Sequence, residues 1–119
     1  MQGLRILVVE DEFLLAEDLR QALEGAGVVV LGPVASLAKA QARVLTESTI
    51  HGAVLDINVG GQRIFPLADV LMDRGVPFVF VSGYDIGVVP PRFTGIPLLQ
   101  KPVSLDALTS ALMALIKRG

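Results

Sequence analysis

The chain has 119 residues, 52% of them apolar, and 12 acidic against 10 basic side chains give a formal net charge of −2. This length fits one domain, and the scattered basic residues favour neither nucleic-acid nor membrane binding. The lack of cysteine excludes disulfides, thiolate metal sites and thiol nucleophiles, and the lone His51 excludes a histidine metal cage.

No segment predicts membrane insertion or export. The longest apolar run, residues 26–35, contains glycines and a proline and is far shorter than the roughly 18 residues of a spanning helix. The N-terminus enters a strand-like segment without a charged region and a cleavage site. We therefore expect a cytoplasmic protein.

Strand and helix patterns alternate in the first half of the chain. Leu4 to Val9 is short, almost continuously apolar and rich in branched side chains, which is typical of a strand buried on both faces. A helical periodicity begins at Phe13 and continues through Leu15, Leu19, Ala22, Leu23 and Ala26. Val28 to Leu31 predicts a second strand, and Ser36 caps a weaker helix that ends near Thr49.

The second half repeats this alternation with one irregular unit. Three more strands are predicted at Ala53 to Ile57, Phe78 to Val81 and Ile96 to Leu99. Helices follow the first and last of these strands, at Ile64 to Arg74 and from Ser104 to Lys117. Between Gly83 and Ile96, glycines and prolines interrupt the helical pattern, so a fourth helix is expected to be short or irregular. Five strand-helix repeats predict a parallel sheet with helices on both faces.

Polar side chains follow four of the five predicted strands. They are Glu10, Asp11 and Glu12 after the first strand, Asp56 at the end of the third, Ser82 and Tyr84 after the fourth, where Gly83 separates them, and Lys101 after the fifth, where Pro102 follows it. Because ligands of parallel sheets bind beyond the carboxyl ends of the strands, we expect these residues to share one rim.

The carboxylates at this rim predict a bound cation. Two such charges about 5 Å apart repel by roughly 3 kcal/mol at an effective dielectric constant near 20. Lys101 supplies one positive charge, and Mg²⁺ could supply the rest through Glu10, Asp11, Asp56 and the backbone carbonyl of Asn58.

An aspartate at such a site can act as a nucleophile toward phosphorus. Asp56 would form an acyl phosphate, Lys101 would pair with a phosphoryl oxygen, and the Ser82 hydroxyl would donate to another. Each residue alone also fits a structural role, since acids favour helix N-termini and Asp and Ser often satisfy turns. The order in which the residues follow successive strands favours the phosphoryl site.

This ordered set resembles the receiver domains of bacterial two-component response regulators, over the chain from Ile6 to Lys117. The resemblance implies Mg²⁺ binding by Glu10 and Asp11, phosphorylation of Asp56 by a histidine kinase or phosphotransfer protein, phosphoryl contacts from Ser82 and Lys101, and a cis bond before Pro102. The expected fold class is therefore α/β, with one five-stranded parallel sheet of flavodoxin-like order 2-1-3-4-5 and residues 1–119 forming one phosphoacceptor domain. Such a domain is not a conventional enzyme, and it is either a stand-alone regulator or a shortened chain.

The chain departs from the usual family pattern at Leu98, where an aromatic switch residue is expected. Pro77 to Tyr84 instead resembles the FAT GUY subgroup of receivers, with Val81 and Ser82 as conservative differences. That resemblance implies an HWE-type histidine kinase as partner. We expect phosphorylation to order the Tyr84 to Phe93 loop, with a permanently mobile loop as the alternative.

Phe13 and Leu14 are candidates for docking the phosphoryl donor, because they begin the first helix beside the acidic rim. The alternative is that at least one of them packs in the core. Tyr84 and Asn58 each lie two positions beyond a site residue and could gate the water that hydrolyses the acyl phosphate.

Three other functions remain open at this point. A pseudo-receiver would bind partners without phosphorylation, and the residue at position 98 keeps that alternative open. A hydrolase of the haloacid dehalogenase type would need its nucleophile on the first strand, with a second aspartate two positions later, but Phe13 follows Asp11 at that spacing. A flavodoxin-like nucleotide binder would need glycines and hydroxyls where the acidic residues stand.

Overall fold

A five-stranded parallel sheet forms the centre of the protein. The computed structural model describes residues 2–83 and 86–118. The sheet strands are β1 (Arg5–Val9), β2 (Val29–Val34), β3 (Gly52–Asp56), β6 (Phe78–Ser82) and β7 (Leu98–Gln100), and a two-stranded hairpin consists of β4 (Asn58–Val59) and β5 (Gln62–Arg63). The sheet order is β2-β1-β3-β6-β7, which confirms the flavodoxin-like order once the hairpin strands are left out of the count.

Two helices cover each face of the sheet. The helices are α1 (Phe13–Gly25), α2 (Leu37–Thr46), α3 (Phe65–Asp73) and α4 (Leu105–Arg118). Ile6 and Val8 of β1 pack with residues of α1 and α4, whereas Leu7 and Val9 pack with residues of α2 and α3. This double burial explains the continuous apolar sequence of β1. None of the described helices is long and apolar enough to cross a membrane.

The connection after β6 contains no α-helix within its described residues. Two short 3₁₀ turns, Ile86–Val88 and Pro91–Phe93, take its place, which confirms the predicted irregular fourth helix. Pro90 and Pro91 disfavour helical geometry for the residues before them. The loop is anchored by Phe93, which is 2% exposed and stacks on Phe65 at a centroid distance of 5.6 Å.

Some element boundaries differ from the predicted ones. β2 continues to Val34 rather than ending at Leu31, because a bulge and the cis Gly32–Pro33 peptide bond fit at an edge strand. α2 ends at Thr46 instead of near Thr49. The Arg74 guanidinium donates to the carbonyls of Val44 (2.8 Å) and Glu47 (3.1 Å), so it satisfies acceptors at the end of this helix.

Candidate functional site

The predicted site residues gather at the carboxyl edge of the sheet. Asp56 is the last residue of β3, Ser82 is the last residue of β6, and Lys101 directly follows β7. The parallel register places Asp56 opposite Val81 and Ser82 opposite Gln100. Glu10 directly follows β1, so the ends of four neighbouring strands bring together side chains that are far apart in the sequence.

Lys101 is the cation at the centre of this site. Its Nζ lies 2.9 Å from Asp56 Oδ2, 2.6 Å from Glu12 Oε2 and 3.3 Å from Glu10 Oε2. The peptide bond between Lys101 and Pro102 is cis. From the sequence, no role is assigned to Glu12. Its position next to Glu10 and Asp11 was the signal that it could contact the same cation.

Glu10, Asp11 and Asp56 form a compact set of carboxylates. One oxygen of each residue lies within 4.8 Å of the others, a spacing at which a dication could hold all three. Glu10 is 2% exposed, and its Oε1 is buried with no hydrogen-bond partner among the described residues. Such a buried acceptor is costly unless a ligand satisfies it, so the donor set fits Mg²⁺.

The electrostatic environment affects both Glu10 and Lys101. Burial, reinforced by the neighbouring Asp56 carboxyl group, raises the pKa of Glu10 to about 7. Partial burial lowers the pKa of Lys101, but its hydrogen bonds to Glu12 and Asp56 outweigh this effect and raise the pKa above its usual value. The site therefore holds excess negative charge that the ammonium only partly offsets.

The hairpin of β4 and β5 borders the same carboxylates. The Asn58 amide donates to Asp56 Oδ1 at 3.1 Å, and the Gly60 amide donates to Asp11 Oδ2 at 2.8 Å. Gly60 and Gly61 form the turn between the two strands, and Asn58 pairs with Arg63 across the hairpin. These bonds orient two of the carboxylates from the hairpin side.

An open depression of about 1160 Å³ surrounds the exposed part of the site. Its lining residues come from the acidic segment, the start of α1, the hairpin and the segment after β7. They include Asp11, Glu12, Phe13, Leu14, Asp18, Asp56, Asn58, Arg63, Lys101, Pro102 and Val103. Asp56 is among these residues although it is only 4% exposed.

Phe13 and Leu14 both lie at the rim of this depression, and each is 77% exposed. The alternative that one of them packs in the core is therefore wrong. The buried face of α1 is formed instead by Ala16, Leu19 and Leu23, and the start of its first turn is exposed.

The remaining predicted residues occupy different environments. Ser82 is fully buried at the end of β6, next to the site. Leu98 is half-buried on β7 and packs against the core on the α2 and α3 side. Tyr84 lies outside the described residues.

Solved structures with the same fold cover almost the whole chain. SdrG from Sphingomonas melonis Fr1 is 39% identical with a TM-score of 0.82, and 97% of each chain is covered. Its BeF₃-activated conformation is 41% identical with a TM-score of 0.76, over 98% of this chain and 99% of that one. A response regulator receiver protein from Sinorhizobium medicae WSM419 is 28% identical with a TM-score of 0.83, over 97% of this chain and 95% of that one.

This chain belongs to the receiver domains of response regulators. Among curated proteins, the receiver domain is 35% identical over 91 residues to the phyllosphere-induced regulator PhyR of Methylorubrum extorquens. That match covers 74% of the receiver domain and 32% of PhyR, so the chain spans about a third of that relative. No protein-family model matches the receiver domain. Membership in this family assigns the chain to response-regulator signalling.

Proposed function

We propose that this receiver domain accepts a phosphoryl group on Asp56 from a histidine kinase or a phosphotransfer protein, with Mg²⁺, in the bacterial cytoplasm. The observation that carries the proposal is the 2.9 Å contact between Lys101 Nζ and Asp56 Oδ2, beside carboxylates that can share a dication. The BeF₃-activated conformation of SdrG supports it, because tetrahedral beryllofluoride resembles a phosphoryl group in shape and charge.

The metal would be held by oxygen ligands from three elements. Asp11 and Asp56 would bind it directly, Glu10 directly or through water, and the backbone carbonyl of Asn58 would add a neutral ligand. The unpartnered Oε1 of Glu10 supports this assignment. Mg²⁺ bound there would neutralise negative charge on the carboxylates and on the phosphoryl oxygens.

Asp56 would be the nucleophile of the transfer. One of its carboxylate oxygens forms the bond to phosphorus, while the P–N bond of the donor phosphohistidine breaks and its electron pair remains on the imidazole. Lys101 then exchanges its contact with Asp56 for a phosphoryl oxygen, and the Ser82 hydroxyl donates to another. Hydrolysis of the acyl phosphate resets the domain, and Asn58 and Tyr84 are placed in sequence to influence the attacking water.

The output would use the loop after β6 rather than an aromatic switch. Leu98 has no aromatic ring to reorient, so we assign the response to the segment between Ser82 and Phe93. Movement of Ser82 toward the phosphoryl group would pull on this segment, while buried Phe93 anchors its far end. Membership in the FAT GUY subgroup and pairing with an HWE-type kinase belong to the same proposal.

Donor docking would use the rim at the start of α1. Phe13 and Leu14 are exposed apolar side chains that line the depression containing Asp56. An apolar pair at this position suits packing against a helix of the donor protein. The docked helix would then present its phosphohistidine to Asp56.

Mass spectrometry after incubation with acetyl phosphate and Mg²⁺ tests the proposal. We expect one added phosphoryl group on the wild type, none on Asp56→Asn, and none when a chelator removes Mg²⁺. Asp73→Asn, an exposed change at the end of α3, serves as the matched control and should be modified like the wild type. A mass gain that persists in Asp56→Asn would move the site elsewhere. No gain on the wild type would favour a pseudo-receiver that acts without phosphorylation.

A further inference from the structure

Arg63 stands at the mouth of the proposed phosphoryl site, although the motif that identified the site does not include it. It is the last residue of β5, and the hairpin register pairs it with Asn58. Directly opposite residues of an antiparallel pair project from the same face. Both residues accordingly line the depression that contains Asp56 and Lys101.

The charge of the depression gives this arginine a role. Four lining residues are carboxylates, Asp11, Glu12, Asp18 and Asp56, and the cations among the described lining residues are Arg63 and Lys101. Lys101 already contacts three carboxylates, one of which is the buried Glu10 beneath the depression. An approaching phosphate dianion therefore meets excess negative charge, and Arg63 counters that charge on the hairpin side.

We propose that the positive charge of Arg63 attracts the phosphate of the incoming donor toward Asp56. The inference rests on the proposed function and adds a second cation to it. The role depends on charge rather than on a specific hydrogen-bond geometry, because attraction between charges acts over distances longer than a hydrogen bond. The ligand class is an acyl phosphate, such as acetyl phosphate, or a phosphoramidate, such as a phosphohistidine side chain.

The hairpin gives Arg63 a defined place relative to the reacting atoms. The Gly60 amide bonds to Asp11 and the Asn58 amide bonds to Asp56, so the strand opposite Arg63 is tied to two site carboxylates. With acetyl phosphate as donor, an Asp56 oxygen bonds to phosphorus and the P–O bond to the acetyl group breaks, so acetate leaves with the electron pair. Arg63 takes no part in these bond changes and acts on the approach of the donor.

The test compares Arg63→Gln and Arg63→Lys with the wild type, and Lys117→Gln near the end of α4 as a matched loss of charge. Rates of Asp56 phosphorylation by acetyl phosphate are measured at an ionic strength of about 0.02 M and about 0.5 M, between which salt screening becomes strong. We expect Arg63→Gln to be slower by about threefold to tenfold at low salt and nearly equal to the wild type at high salt. Arg63→Lys should recover most of the rate, and Lys117→Gln should match the wild type.

The affinity for Mg²⁺, measured by titration calorimetry without a phosphoryl donor, distinguishes loss of charge from damage to the hairpin. Loss of a cation favours binding of Mg²⁺, so Arg63→Gln should bind it as tightly as the wild type or more tightly. Damage to the hairpin would instead weaken Mg²⁺ binding and slow the reaction at both salt concentrations, which would overturn the inference. Equal rates of wild type and Arg63→Gln at low salt would also overturn it, while leaving the proposed function intact. If the wild type takes up no phosphoryl group, both the inference and the proposed function are contradicted.

Discussion

Lys101 Nζ lies 2.9 Å from Asp56 Oδ2 across 45 positions of sequence. The same ammonium contacts Glu10 and Glu12, and its side chain retains 21% of its accessible surface. This cation therefore bridges three carboxylates at the sheet edge. Its removal should affect both the stability of the fold and the chemistry proposed for the site.

Lys101→Met should lower the free energy of unfolding at pH 7 by about 1–3 kcal/mol, because it leaves buried carboxylates without their cation. Urea denaturation with and without Mg²⁺ measures this effect. Added Mg²⁺ should stabilise the variant more than the wild type, since it replaces the missing positive charge. Lys39→Met, an exposed change on α2, is the control. An unchanged denaturation midpoint for Lys101→Met would contradict this account of the site.

Asp11→Asn should have opposite effects on stability and on metal binding. Without Mg²⁺ it should raise the free energy of unfolding by about 1 kcal/mol, because it removes one of three repelling charges at an exposed position. The asparagine oxygen can still accept the Gly60 amide, so the hairpin contact is preserved. Mg²⁺ affinity by calorimetry should fall at least about tenfold through the loss of a charged ligand.

Asp18→Asn provides the control for that prediction. Asp18 lines the same depression but is not part of the carboxylate set that could hold a dication. Its effect on Mg²⁺ affinity should be small. If both variants lost affinity equally, the general charge of the depression rather than direct ligation by Asp11 would explain binding.

The double substitution of Phe13 and Leu14 by Ala should slow phosphoryl transfer from a histidine kinase but not from acetyl phosphate. Both side chains are 77% exposed, so the free energy of unfolding should change by less than about 0.5 kcal/mol. Rates from a phosphorylated HWE-type kinase and from acetyl phosphate separate docking from chemistry. Equal slowing with both donors would refute the docking role. Leu45→Ala, which removes an 86% exposed side chain from α2, is the control.

Amide hydrogen exchange should report ordering of the loop after β6 on phosphorylation. Protection should rise in the segment from Ile86 to Val89, upstream of the buried Phe93 anchor. The Phe93 amide already donates to the Pro90 carbonyl at 3.0 Å, so it should change less. Peptides of α2 serve as the internal reference. Unchanged protection throughout the loop would indicate that phosphorylation does not order it, and would contradict the proposed output.

Gly32→Ala should destabilise the fold through the bulge in β2. Gly32 has a φ of 104°, and a Cβ there would lie 2.7 Å from Val34 N and 2.9 Å from Val8 O. We expect a loss of about 2–4 kcal/mol in the free energy of unfolding, from backbone strain and from a clash with backbone atoms. Gly75→Ala, with a φ of 71° and open space around its Cβ, should lose only the strain, about 1 kcal/mol. Equal losses would contradict the clash.

The sequence alone determined the order and type of the elements in the main sheet. The apolar run around Val8 predicts a strand buried on both faces. The prolines before Phe93 predict a broken fourth helix, because proline restricts the local backbone geometry. The order of Asp56, Ser82 and Lys101 along the chain also placed them at one edge, since parallel strands end on the same side.

Only the tertiary structure decided which side chains meet at that edge and which remain exposed. The contact of Glu12 with Lys101, the projection of Phe13 beyond the core and the pairing of Arg63 with Asn58 all depend on how separate elements pack. The periodicity of a single segment does not predict such contacts, because they are set by register and side-chain packing between segments that are far apart in the sequence.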